Sequence, residues 1–153
     1  MKDKALSQFS EAEKNINKDF YPYQIDRLSF EIINSIDEEE LIRKRKSNYL
    51  ILSSGLKEVS YLQHTFLKED DNTCPMFFPV LIEKELRNAV RGKLAEQGIY
   101  CPIHWPIPPQ IGTDVISSTK EIYEQVLSIP CDQRYDQEDI KKVLTVFNSI
   151  HLR

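Results

Sequence analysis

Three prolines within four positions, Pro106, Pro108 and Pro109, set the tightest limit on how this chain can fold. Each ring fixes its own φ, removes a backbone donor and pushes the preceding residue towards extended geometry. Trp105 to Pro109 is therefore a stiff, extended connection that neither continues a helix nor enters the middle of a sheet. Regular structure must be built on either side of it. Upstream, Met76 to Ile82 reads as a buried strand, and Pro79 places that strand at a sheet edge or in a bulge. Leu86, Ala89, Val90 and Leu94 recur at three and four residues, which predicts a helix closed by Gly98 at its C′ position. Ile99 to His104 reads as a second strand running into the prolines. Downstream, residues 114–126 form a helix carrying Val115, Ile122 and Val126, and Leu127 to Cys131 a third strand. Asp136 then caps a final helix whose apolar face is Ile140, Val143, Leu144, Phe147 and Ile150.

The first third of the chain is helical in pattern. Leu6, Phe9 and Ile16 mark a helix over residues 5–17, the segment Lys18 to Gln24 is a loop, and Leu28, Ile32, Ile33 and Ile36 mark a short second helix. Asp37 and Glu40 have the spacing of a capping box. The helix they open runs to about Ser54, with Leu41, Arg45, Asn48, Tyr49 and Leu52 on one face and Gly55 as its stop. Its apolar stripe is narrow, as in a helix that lies across a surface or between domains. Val59 to Leu67 is either a strand or an extended loop.

These elements predict an α+β fold: a small, mostly antiparallel sheet of three to four strands with helices packed on it, preceded by N-terminal helices. The division expected is a helical segment over 1–56, of interdomain or dimer-forming type, and a small α+β domain over 57–153. A chain of 153 residues is long enough to bury a core.

Several function classes are disfavoured. The four glycines form no phosphate-cradling pattern. Cys74, Cys101 and Cys131 include no CxxC pair and no neighbouring His cluster, so they read as small buried hydrophobes and no metal site is expected. The basic run Arg43 to Lys46 follows Asp37 to Glu40 at helical spacing, a self-paired solvated face without a nucleic-acid partner. No apolar run approaches the roughly 20 residues that span a bilayer. Met1-Lys2-Asp3-Lys4 opens a polar stretch unlike a signal peptide, which makes a cytoplasmic chain without membrane partners the expectation.

Two loops can carry chemistry. His104 and Trp105 leave the end of a predicted strand onto the proline-stiffened connector, where side chains are held in fixed orientations. Either they meet a ligand, or Trp105 anchors the core and His104 bonds a nearby carbonyl. Arg134, between the third strand and the last helix, could bind a carboxylate or phosphate through its planar fork. The alternative is a pairing with Asp132 or Asp136 that orders the turn. His64 and His151 stand alone, and no catalytic residue can be nominated.

The run Gly98-Ile99-Tyr100-Cys101-Pro102-Ile103-His104-Trp105-Pro106 resembles the G-I-x-x-P-x-H-[YW]-P signature in the small domain of DegT/DnrJ-type sugar aminotransferases. Val126 to Tyr135, with Asp139 beyond it, is similar to that family's C-terminal block. Asp37 to Leu52, with Arg43, Arg45, Asn48 and Tyr49, resembles its I-D-x-x-x-I-x-x-R-R-x-N-Y-x-x-L helix. The resemblance implies a C-terminal small-domain portion of a fold-type-I enzyme. Such enzymes use pyridoxal phosphate to move an amino group, commonly from glutamate, onto a nucleotide-linked sugar for surface polysaccharides or secondary metabolites. It places His104 and Trp105 near the substrate entrance, with Arg134 as a further substrate-proximal residue. The family's Schiff-base lysine and phosphate-binding segment have no counterpart here, so this chain is expected to bind no cofactor and to be inactive alone. The missing large domain or a second copy is its expected partner. Where the family has another His after the H-[YW]-P proline, this chain reads Ile107-Pro108-Pro109-Gln110. A stand-alone, non-catalytic binding module that kept the fold is the alternative.

Overall fold

The computed structural model describes residues 24–66, 72–104 and 117–150, together with the helical positions 8, 11, 12, 14 and 15. Leu6, Phe9 and Ile16 of the first expected helix lie outside the described residues, as does most of the loop that follows. The chain divides into two compact units, Met1–Ile36 and Asp37–Arg153.

In the first unit, helix α1 spans Arg27–Asn34. Asp26 caps it, its carboxylate accepting from Ser29 N at 3.0 Å. None of its residues is buried.

The second unit opens with α2, Glu38–Gly55, and follows with β1 (Leu62–His64), β2 (Phe77–Ile82), α3 (Lys84–Glu96), α4 (Ser117–Gln125), β3 (Val126–Pro130) and α5 (Gln137–Ser149). The expected α+β class is what forms. The sheet is antiparallel with β2 in the middle: Leu62 faces Ile82 on one side, and Phe78 faces Ile129 on the other. Alternation along β2 sends Phe78, Val80 and Ile82 into the core, while Phe77, Pro79 and Leu81 stay half-buried on the other face. Leu127 and Ile129 of β3 join the core face, and α2 packs across it against β2 and α5. Leu52, Leu94 and Phe147 are completely buried there. Tyr61 reaches α5 as well: its hydroxyl donates to Phe147 O at 2.7 Å, and burial pushes the phenol up to about 12.

Five expectations need correction. Pro79 lies in the central strand, not at an edge. It is tolerated because β1 reaches only as far as Val80. Within a strand a residue's N and C=O point to the same side, and Pro79 O accepts from Thr65 Oγ1 at 3.0 Å, so the missing donor faces away from β3, past the end of β1. Ile99 to His104 is extended but not a strand: Ser128 N donates to Pro102 O at 3.3 Å along the outer side of β3, and Pro102 has no N–H to return. The described sheet therefore has three strands. Val126 belongs to β3, opposite Leu81, instead of ending a helix. Asp37 accepts from Glu40 N at 3.0 Å, but the Glu40 carboxylate is drawn to Arg43 by two bonds of 2.7 Å, and no reciprocal box forms. Gly55 does not stop its helix; it is the last residue of α2, where a Cβ would lie 2.7 Å from Leu144 Cδ2, so its role is to let α2 approach α5.

Gly98, by contrast, does end α3, at φ +78°. Gly98 N bonds Ala95 O at 3.0 Å and Ile99 N bonds Leu94 O at 2.9 Å, the paired closure of a Schellman motif. Nothing lies within 4 Å of a built Cβ, so the constraint is the backbone alone. Gly98→Ala should lower unfolding free energy by about 1–2 kcal/mol in urea titration, whereas Gly92→Ala, in open space mid-helix, should stabilise slightly.

Candidate functional site

The loop after β3 is organised by its own ion pair. Arg134 Nε and Nη2 donate to the two carboxylate oxygens of Asp132 at 2.8 and 2.9 Å, and Arg134 N adds a third bond at 3.1 Å. Hydrogen bonding to Arg134 holds the Asp132 carboxyl below its usual range despite its burial, and raises the guanidinium in turn. Asp132 is nearly buried, while the Arg134 side chain is 74% exposed with its guanidinium carbon 5.7 Å from the Tyr135 ring centre. The turn-ordering role is thus present, and it leaves Arg134 pointed outward in a fixed orientation.

Helix α2 grips the same loop. Asn48, 3% exposed, sets its side-chain amide against Tyr135 O (3.0 Å), Asp132 O (3.2 Å) and Cys131 O (3.4 Å). One turn earlier, Arg45 Nε donates to Gln133 Oε1 at 2.7 Å. The i, i+3 spacing puts both on one side of the helix, above the loop. Reading the sequence missed this clamp, although a polar Asn on the buried stripe is the signal that could have found it, because a buried amide needs partners.

His104 sits at the same end of the sheet. Phe77, the first residue of β2, pairs with Pro130, the last of β3, and its ring meets His104 with centres 4.3 Å apart and planes inclined at 50°. The extended segment leading to His104 is held by Arg91 Nε, which donates to Cys101 O at 3.1 Å. His104 therefore lies against the half-buried face of the sheet. His64 packs edge-on against Phe78 on the core face, ring centres 5.3 Å apart. Trp105 and the prolines after it lie outside the described residues, as does His151. The structure thus brings the His104 segment and the Arg134 loop to one end of the sheet.

Of the cysteines, Cys101 and Cys131 are buried as expected, whereas Cys74 is exposed. Burial pushes the Cys101 thiol up to about 12, far from nucleophilic. Among the described residues no cluster of His, Cys, Asp and Glu could hold a metal ion, and no helix is long and apolar enough to cross a membrane. A cleft of about 130 Å³ lies between the end of α3 and the start of α5, lined by Gly98, Tyr100, Pro130, Tyr135, Asp139 and Lys142 among others.

The profile of the DegT/DnrJ/EryC1/StrS aminotransferase family matches residues 36–148. No curated protein sequence matches the chain. Among solved structures, the fold is similar to the aminotransferase TlmJ from Streptoalloteichus hindustanus, with a TM-score of 0.64 and 18% identity over 71% of this chain and 31% of that one. The sugar aminotransferase CalS13 from Micromonospora echinospora gives a TM-score of 0.62 at 19% identity, covering 72% of this chain and 31% of that one. PseC of Helicobacter pylori, an aminotransferase involved in the biosynthesis of pseudoaminic acid, gives 0.58 at 19% identity, over 72% and 33%. The chain thus spans about a third of the length of the structures it resembles.

Proposed function

Because the chain belongs to the DegT/DnrJ/EryC1/StrS aminotransferase family, we propose that it supplies the small domain of a pyridoxal-phosphate-dependent enzyme aminating a nucleotide-linked sugar in the cytoplasm. The observation that carries this reading is the clamp from Arg45 and Asn48 onto residues 131–135. Two blocks that resemble the family, about 85 residues apart in sequence, hold each other there, and the third delivers His104 to the same end of the sheet. In this reading His104, Trp105 and Arg134 form the substrate-facing rim. Arg134, anchored by Asp132 through Nε and Nη2, keeps its Nη1 edge for an anionic group of the substrate.

Pyridoxal phosphate, when bound, supplies the electron sink for amino-group transfer. The described residues of this chain do not fit it. The cleft lined by Lys142 has about 130 Å³, and its carboxylate, Asp139, is engaged by Asp136 N at 3.2 Å in the capping box of α5. It offers no arginine and no glycine-rich amide cradle for a phosphate. In this reading the described residues shape the substrate side and leave the cofactor's chemistry to a domain supplied from elsewhere.

Mixing the purified chain with pyridoxal phosphate should give a spectrum equal to the sum of its parts, and borohydride should leave the protein mass unchanged. A borohydride-fixed adduct on one specific lysine would sink the claim that the chain needs a cofactor domain from elsewhere.

A further inference from the structure

We infer that the cleft between the end of α3 and the start of α5 is a binding site for a free aromatic α-amino acid of about the size of phenylalanine. Its volume is about 130 Å³. An apolar cavity of about 150 Å³ takes one benzene molecule, so the room here is that of a single ring. The interior is apolar, since Ile99, Ile140 and Val143 line it and all three are buried. Tyr100 and Tyr135 also line it, and aromatic side chains pack an incoming ring edge-on or offset. These walls are set by the backbone. The left-handed Gly98, at φ +78°, and the closure of α3 fix where Ile99 and Tyr100 begin, and Asn48 holds Tyr135 O at 3.0 Å from the other side. A site already shaped loses little conformational freedom when it fills.

Two charges of opposite sign stand at the cleft. Lys142 makes no ion pair among the described residues. Asp139 commits Oδ2 to Asp136 N at 3.2 Å, and its Oδ1 accepts no hydrogen bond among the described residues. The two side chains are three residues apart on α5 and so share one side of the helix. A lone carboxylate meets Lys142 but is opposed by Asp139, and a lone amine meets the reverse. The zwitterionic head of an amino acid answers both, and that complementarity selects it. Neither His104 nor Arg134 lines the cleft, so the site is separate from the substrate-facing rim and does not rest on that reading.

The test is to titrate L-phenylalanine into the isotope-labelled full chain and follow its amide resonances. Saturable shifts should centre on residues 98–100, 135 and 139–143. A ligand of about 12 non-hydrogen atoms at ordinary efficiency gives a dissociation constant on the order of 1 mM. Benzoate and phenethylamine, each missing one charge, should bind roughly fivefold more weakly. Alanine, without the ring, should not saturate. Lys142→Ala, at an exposed helical position, should weaken phenylalanine roughly fivefold and leave phenethylamine unchanged, while Lys142→Arg keeps wild-type affinity. The inference is overturned by shifts that never saturate, or by shifts centred on His104 and residues 132–134. Equal affinity for phenylalanine, benzoate and phenethylamine overturns it too, as does a Lys142→Ala chain that binds phenylalanine as the wild type does.

Discussion

Replacing Phe78 with alanine should cost about 3–5 kcal/mol of unfolding free energy, the range for truncating a buried aromatic ring. Phe78 is 1% exposed and sits at the centre of the core face. Its ring meets Tyr49 of α2 edge-on at 4.8 Å and His64 of β1 at 5.3 Å, so one deletion loosens the sheet from the helix above it and from its neighbouring strand. Against a typical total of about 5–15 kcal/mol for a domain of this size, that loss leaves little in reserve. Urea titration followed by far-ultraviolet circular dichroism gives the number. Phe77→Ala is the internal comparison. Phe77 is one residue away, half-buried on the opposite face of the same strand, and should lose less than half as much. Equal losses would mean that the two faces are not the core and the rim described above.

Asn48→Ala should cost about 2–3 kcal/mol, because it leaves the buried carbonyls of Cys131 and Asp132 and the half-buried carbonyl of Tyr135 without their donor. The amide has only two hydrogens for three acceptors, so at least one is shared. Asn48→Asp preserves size yet turns a donor into an oxygen facing oxygens, and should be worse than alanine. Arg45→Ala, removing a bond nearer solvent, should cost about 1 kcal/mol or less. Amide hydrogen exchange across residues 131–135 should speed up in the Asn48 variants more than elsewhere. If exchange there is unchanged, the loop is held by the Asp132–Arg134 pair alone, and α2 contributes only packing.

How much of this was legible in the residues follows from where the physics is local. Spacing exposed α3 and α5 with their stop and start: Gly98 adopts the left-handed geometry its position required, and Asp136 with Asp139 closes a capping box on α5. The fold class followed from element order. Pairing partners did not, since nothing in Met76 to Ile82 says that β1 ends at Val80 and so frees Pro79 to occupy the central strand. Ile99, Cys101 and Ile103 alternate like a strand because one side of that segment is buried, yet Pro102 prevents a ladder. Side-chain competition was also hidden: Glu40 has the spacing to cap and the neighbour, Arg43, that takes it away. At the site, the sequence named Arg134 and left Asp132 and Asp136 both open as its partner, but the grip of Asn48 joins segments more than 80 residues apart and only the fold reveals it.

The outer side of β3 bears on what this protein does at high concentration. Donors there come from every second residue. Ser128 N is already taken by Pro102 O, and Pro130 has none to give. On the far side β1 is only three residues long. Exposed strand edges are the usual templates for runaway β-stacking between molecules. Among the described residues neither edge offers more than a fragment of an unpaired ladder, so these two edges should not seed fibrils when the chain is crowded.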